Sequence, residues 1–214
     1  MKKIVVMLFL LLFVTGCNNL KDYSIPELVN VNITKEAMAT NQVRTGYKYY
    51  LPKGMSVRVR NNDFNEIIKS GSYYYFLYVD VVSYYNKVNS PYEIDDKAVF
   101  SRQISYQGKY GYYEINTKND KSLIEIMYNY AKIEVIVENR DINLAISRAM
   151  NILTSINYSD AVLDNLMGDN VLMFNEIEFN IFETKKDVES NYLTAIDDHG
   201  QWVEPVVPDT DLIN

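Results

Sequence analysis

The stretch that most constrains the fold is residues 73–85, YYYFLYVDVVSYY, because both of its alternating faces are apolar. Successive side chains of a β-strand point to opposite faces of the sheet. One face would carry Tyr73, Tyr75, Leu77, Val79 and Val81, and the other Tyr74, Phe76, Tyr78, Asp80 and Val82. β-Branched and aromatic residues on both faces predict a central strand with protein packed on each side.

Several shorter segments also have strand signals. Pro52 and Gly54 mark a turn, after which residues 55–60 alternate between apolar side chains and Ser or Arg, so that the arginines face outward. Further strands are predicted at 99–106, 110–116, 123–127 and 133–137. The first two flank residues 107–109, which predict a hairpin with a three-residue loop, and the last alternates charged with apolar residues.

The clearest helix is residues 141–156, with Asp141 as a side-chain acceptor at the N-cap position. Its apolar residues recur at helical spacing and form one stripe, made of Ile142, Ala145, Ile146, Ala149, Ile152, Leu153 and Ile156. We expect this stripe to cover a face of the sheet, and Arg148 to lie on the opposite side of the helix.

The C-terminal part predicts a helix at 159–167 ended by Gly168, a strand at 170–182 and a last helix at 188–196. From His199 onward, acids and prolines without periodicity predict a disordered acidic tail, 199–214. Strands followed by helices predict an α+β fold, an antiparallel β-sheet meander packed against C-terminal helices. We expect it to form a single domain over 43–198.

The N-terminus has the layout of a secretory signal peptide: two lysines, an apolar run from Ile4 to Phe13, and then Val14-Thr15-Gly16-Cys17. The apolar run is too short for a membrane-spanning helix. An aliphatic residue, Thr, Gly and Cys resemble the lipobox of bacterial lipoproteins. The resemblance implies that residues 1–16 are removed and that Cys17 carries a diacylglyceryl group.

A diacylated Cys17 implies a lipid-anchored protein on the extracytoplasmic face of a cell membrane, because two acyl chains hold a protein stably. Residues 17–42 are mixed and polar, and we expect them to be a flexible tether. The turn at 51–54, the meander and a helix ending in residues 152–156 also resemble, loosely, the small α/β/α domain of PsbP-like and Mog1-like proteins. That likeness spans residues 45–156 and implies nothing about activity.

Composition excludes several function classes. Without Lys2 and Lys3 the chain keeps 19 basic against 28 acidic residues, which argues against nucleic acid as a partner. Cys17 is the only cysteine and His199 the only histidine, and no phosphate-binding loop occurs, so we predict no metal site, no cofactor and no catalytic residue.

Two features remain as candidates for binding. Asp80 lies within an apolar run, where a buried carboxylate needs a partner. An arginine such as Arg58, Arg60 or Arg102 could supply that partner, or Asp80 could lie at the edge of the sheet. The chain also contains 19 tyrosines, many of them in the predicted sheet. Tyrosine combines an apolar face with a polar tip, and suits both sheet packing and binding surfaces. The candidate ligand-binding residues are Tyr74, Tyr78, Asp80 and Tyr112.

These observations favour a non-enzymatic, membrane-tethered binding or assembly factor of the cell envelope. It would recognise a protein, a peptide or a glycan through the sheet or through a groove beneath helix 141–156. Two alternatives stay open: an envelope hydrolase that uses acidic residues, Asp80 among them, and a small solute-binding component of a transporter.

Overall fold

The computed structural model describes residues 20–62, 64–89 and 91–168. The segment predicted to be a signal peptide, together with Cys17, lies outside the described residues. So do the strand predicted at 170–182, the helix predicted at 188–196 and the tail predicted at 199–214. No helix within the described ranges has both the length and the apolar character needed to cross a membrane.

The described chain is an α+β fold, as the sequence predicts. Its strands are β1 Gln42–Arg44, β2 Tyr47–Tyr49, β3 Met55–Asn62, β4 Asn65–Ser70, β5 Tyr73–Val79, β6 Phe100–Tyr106, β7 Lys109–Lys118, β8 Lys121–Tyr128, β9 Ala131–Glu138 and β10 Asn157–Tyr158. Its α-helices are α1 Ile25–Thr34, α2 Val81–Asn86, α3 Ile142–Ser155 and α4 Asp160–Gly168. Single 3-10 turns occur at Leu20–Asp22 and Asn139–Asp141.

Seven strands form one antiparallel sheet in the order β3-β4-β5-β9-β8-β7-β6. A small sheet, β1-β2-β10, lies beside it. Each predicted strand from 55 to 137 is present, and the hairpin predicted at 99–116 is confirmed. Its loop has two residues rather than three, because Tyr106 pairs with Lys109 across Gln107 and Gly108, which both have positive φ.

β5 is an interior strand, as predicted, and its alternate side chains pack in two different apolar clusters, one on each side of the sheet. Tyr75 and Leu77 pack with α3 in the main core, on what we call the helix face of the sheet. Phe76 and Tyr78 belong to a second cluster on the opposite side, the distal face. The strand prediction for residues 73–85 is wrong beyond Val79, because residues 81–86 form the helix α2.

α3 and its apolar stripe are confirmed. Ile146, Ala149 and Leu153 are fully buried on the helix face of the sheet. Met150 is equally buried, although it lies beside the predicted stripe, because α1 packs along α3 and covers a second side of it. Side chains of this helix and of the sheet therefore fill the space between them in the described part of the chain.

α1 corrects the expected tether. Ser24 donates its backbone N–H and its hydroxyl to Glu27, which fixes the first turn, and Leu28 and Val29 are buried in the main core. Asn143 of α3 donates from Nδ2 to the carbonyl oxygens of Leu20 and Tyr23, both at 2.9 Å. The prediction of a flexible tether over 17–42 is thus wrong for residues 25–34, which form a packed helix.

Candidate functional site

Three glutamates lie side by side on the distal face of the sheet. Glu134 of β9 is directly opposite Glu125 of β8, which in turn is opposite Glu114 of β7. Directly paired side chains of neighbouring strands have Cβ atoms about 4.5–5.5 Å apart. Each of the three is exposed by no more than 2%, so three carboxylates share a site from which water is excluded.

A lysine and tyrosine hydroxyls contact this glutamate row, Glu114, Glu125 and Glu134. Such partners are needed because burying a carboxylate without one would lower the stability of the fold by several kcal/mol. Lys132 is also buried, and its Nζ is 3.0 Å from Oε1 of Glu134 and 4.0 Å from Oε1 of Glu125. Tyr112 donates its hydroxyl to Oε1 of Glu125 at 2.7 Å. The arrangement is that of an internal polar network.

Tyr92 covers the end of the glutamate row from outside the sheet. Its hydroxyl donates to Oε2 of Glu114 at 2.5 Å and is 2.6 Å from Oγ of Ser101. Its ring stacks on Tyr112 with the centroids 4.0 Å apart and the planes within 4°. Burial, followed by the neighbouring carboxylates, raises the pKa of Tyr92 and of Tyr112 well above the ordinary value, so both hydroxyls keep their protons to donate.

A cleft of about 400 Å³ opens beside this stacked pair, between the segment around Tyr92 and the strands β6 and β7. It is lined by Asn89, Pro91, Tyr92, Gln103, Ile104, Ser105, Tyr110, Gly111, Tyr112 and Met127. Gln103 of β6 holds the segment around Tyr92 against the strand, since its Nε2 donates to the carbonyl oxygen of Tyr92 at 2.7 Å. Tyr110 is 56% exposed and offers the most accessible aromatic ring of the cleft.

Gly111 is required for the shape of this cleft. A Cβ at that position would lie 1.9 Å from the carbonyl oxygen of Met127, so β7 and β8 approach each other more closely than any side chain permits. Substitution of Gly111 would therefore push apart the two strands that form the floor.

The structure brings three of the four predicted ligand-binding residues to the distal face and separates the fourth. Tyr74, Tyr78 and Tyr112 share that face, although Tyr78 and Tyr112 are almost fully buried. Of these three, only Tyr112 lines the cleft, whereas Tyr74 lies under Lys69, whose Nζ is 5.3 Å from its ring centroid.

Asp80 has a structural role. Its Oδ1 accepts from the backbone N–H of Ser83 at 2.8 Å and so caps the N-terminus of α2. Within the described ranges no ion pair joins Asp80 to the arginines that the sequence suggested as its partners. The expectation of a carboxylate inside a strand was wrong because the strand ends one residue earlier.

Sequence reasoning missed Tyr92, the glutamate row and Lys132. The signal was present: Glu114 and Glu125 interrupt apolar strands at positions that share a face, as do Lys132 and Glu134. A charge at alternate positions is ordinarily a solvated face, and nothing in a strand pattern tells whether that face is covered.

Among the described residues, no group of three or more His, Cys, Asp or Glu side chains is arranged to hold a metal ion. Comparison with protein-family models, with curated proteins and with solved structures finds no match for this chain. The likeness to PsbP-like and Mog1-like domains is therefore not confirmed.

Proposed function

We propose that this protein is a lipid-anchored, non-enzymatic binding protein of the cell envelope, and that it holds an extended peptide segment of an envelope partner at the cleft beside β6. The observation that carries the proposal is the position of that cleft. Gln103, Ile104 and Ser105 line it and belong to an outermost strand of the sheet. An extended peptide can therefore pair with the strand and place a side chain in the cleft, as in recognition by strand addition.

The two edges of the sheet differ in a way that supports this choice. β3, at one edge, pairs with β4 through two register shifts and carries the exposed Arg58 and Arg60, both of which discourage further pairing. β6, at the other edge, carries one exposed arginine, Arg102, and pairs with β7 through seven consecutive residues without a shift. An edge strand with an uninterrupted register is a template for another strand.

The lining of the cleft fits a peptide that contains an apolar or aromatic side chain. Met127 and the tyrosine rings supply apolar surface, while Asn89 and Gln103 supply amide groups that can bond to a backbone. The tyrosines also favour a second ligand, a glycan, which would use the exposed ring of Tyr110 without needing the strand edge.

The hydrolase alternative loses its best candidate residue, since Asp80 caps a helix. The glutamate row does not replace it, because the three carboxylates are buried and bonded to Lys132 and tyrosine hydroxyls.

The anchor is tested separately from the binding site. The wild-type protein should partition into the detergent phase, and mass spectrometry of its N-terminal peptide should show a diacylglyceryl group on Cys17. The variant Cys17→Ala should stay uncleaved or be released. Wild type recovered from the aqueous phase with an unmodified Cys17 would refute the anchoring.

The ligand is tested with the chain from residue 17 onward carrying Cys17→Ser, screened against a displayed library of random peptides and against soluble cell-wall glycan fragments. We expect selected peptides to bind, and Tyr110→Ala and Gln103→Ala to weaken binding at least tenfold. Tyr85→Ala is the matched control, an exposed tyrosine on α2 that does not line the cleft. Binding of glycans alone would replace the peptide by a sugar, and binding that Tyr110→Ala and Gln103→Ala leave unchanged would refute the site.

A further inference from the structure

The first residues that the structure describes are fixed to the beginning of α3. Asn143, the second residue of that helix, donates from Nδ2 to the carbonyl oxygens of Leu20 and Tyr23, both at 2.9 Å. Tyr23 packs against the main core, and α1 begins two residues later. The chain therefore belongs to the folded domain from Leu20 onward, three residues after Cys17.

The turn between β7 and β8 lies at the same end of the sheet as the start of α3. Asn139, which precedes α3, donates from its backbone N–H to the carbonyl oxygen of Asp120 at 2.9 Å and from Nδ2 to that of Asn119 at 3.2 Å. Lys118, the last residue of β7, directly precedes this turn. We call this end of the sheet, which carries Leu20, the Leu20 end.

The cleft lies at the other end of the same strand. β7 has ten residues, so its first residue, Lys109, is about 31 Å from Lys118 at about 3.4 Å per residue. Tyr110 and Tyr112, which line the cleft, come directly after Lys109 in the strand. Most of the length of the sheet therefore separates the cleft from the Leu20 end.

We infer that the Leu20 end of the sheet faces the lipid bilayer and that the cleft beside β6 is held on the side away from it. The inference rests on the lipid anchor at Cys17 proposed above. Three residues span at most about 11 Å whatever their conformation, so a lipidated Cys17 keeps Leu20 within about that distance of the headgroups. Because the bilayer excludes a folded domain and this link is much shorter than β7, the Leu20 end is the end that meets the membrane surface.

This orientation narrows the class of partner that can use the cleft. Along β7, Tyr110 is about 27 Å from Lys118 at about 3.4 Å per residue. A peptide segment that lies on the lipid headgroups does not reach that far. The segment bound in the cleft therefore belongs to a partner that projects from the bilayer or is not attached to it.

Quenching of a dye by the bilayer tests the inference. The full-length protein is lipidated in a bacterial host and reconstituted into vesicles of phosphatidylethanolamine and phosphatidylglycerol, with a nitroxide on some of the headgroups. A diacylglyceryl thioether leaves no free thiol at Cys17, the only native cysteine, so Lys118→Cys and Lys109→Cys each take one maleimide dye. The two lysines are matched because they end the same strand. We expect the dye at position 118 to be quenched at least threefold more strongly than the dye at position 109.

A longer link is the control. A Gly-Ser insertion of about twenty residues between Asn19 and Leu20 adds a root-mean-square length of about 25 Å and leaves the folded domain unchanged. It should lower the quenching at Lys118→Cys at least twofold.

Two results in vesicle-bound protein would overturn the inference and leave the anchor standing. The first is quenching at Lys109→Cys that equals or exceeds the quenching at Lys118→Cys. The second is quenching at Lys118→Cys that the insertion does not lower, because an attraction to the surface rather than the short link would then hold the domain.

Failure of the proposed function is read separately. Protein that does not float with the vesicles would refute the anchor at Cys17, and this inference with it. Peptide binding is measured on the soluble chain, so a loss of the peptide site would leave the orientation intact.

Discussion

Arg148 of α3 donates a hydrogen bond from Nη1 to Oγ of Ser70, 78 residues away in β4. The sequence predicted Arg148 on the side of the helix away from the sheet, yet it is half-buried and bonded to a serine that is almost fully buried. This hydrogen bond joins the helix to the sheet at a position outside the apolar stripe, so its loss should lower the stability of the fold.

We expect Arg148→Ala to lower the free energy of unfolding by about 1–3 kcal/mol, because Ser70 and the neighbouring Tyr75 lose a charged donor. Ile146→Ala and Leu153→Ala, which leave cavities, should each cost about 2–5 kcal/mol. Leu144→Ala, at an exposed position of the same helix, is the control and should stay within about 0.5 kcal/mol. Urea unfolding measures all four, and an Arg148→Ala value no larger than the control would refute the role of the bond.

A buried ion pair attaches the small sheet to the main one. Arg44 of β1 bonds through Nε to Oε1 of Glu66 in β4, and Tyr49 donates its hydroxyl to Oε2 of the same carboxylate. Arg44→Ala should cost about 3–5 kcal/mol, because it removes the buried cation beside a buried carboxylate and leaves only the exposed Arg60 near it. Arg60 is 3.8 Å from the same carboxylate but 57% exposed, so Arg60→Ala should cost less than about 1 kcal/mol. If thermal unfolding showed equal losses of stability for Arg44→Ala and Arg60→Ala, burial would not account for the importance of Arg44.

Lys132 should be the most sensitive cation on the distal face. Lys132→Met keeps the length of the side chain but removes the charge beside Glu125 and Glu134, and should destabilise the protein by about 3–5 kcal/mol. Adding Glu134→Gln to Lys132→Met should restore part of that loss, which a purely steric effect would not allow. Lys69→Met on the same face, half-exposed over Tyr74, is the control and should cost less than about 1 kcal/mol.

Alkaline pH should unfold this protein through its buried tyrosines. Burial raises the pKa of Tyr75 to about 12, against the opposing effect of Arg148, while an unfolded tyrosine ionises near 10. Between these values the folded state binds more protons than the unfolded state, so stability is intact below pH 10 and falls as the pH rises toward 12, by about 1.4 kcal/mol per pH unit for each such group. Urea unfolding at pH 8, 10 and 11 measures the fall, and Tyr75→Phe should reduce its slope. A stability that stays constant to pH 11 would contradict the expectation.

Much of the fold could be predicted because the patterns are local. Period-two alternation assigned Phe76 and Leu77 to opposite faces, and the spacing of Ile146 and Leu153 placed the buried side of α3. Both follow from where a side chain points in a strand or a helix, which depends on the backbone alone. The candidate site was harder to predict from the sequence than the fold, since only Tyr112 of the four predicted residues lines the cleft.

The sequence by itself determined which residues share a face; the tertiary structure decided what each face meets. α1 is short, and a helix of its length is stable in water only when packed, so its capped first turn does not suffice and its stability depends on packing against α3. The glutamate row depended on the register of β7, β8 and β9, which brings together Glu114, Glu125 and Glu134 from separate hairpin arms. Charged side chains at alternate positions have the same pattern whether water or protein lies above them. Whether such a face is buried depends on which other segments pack over it, and the periodicity of the strand does not indicate that.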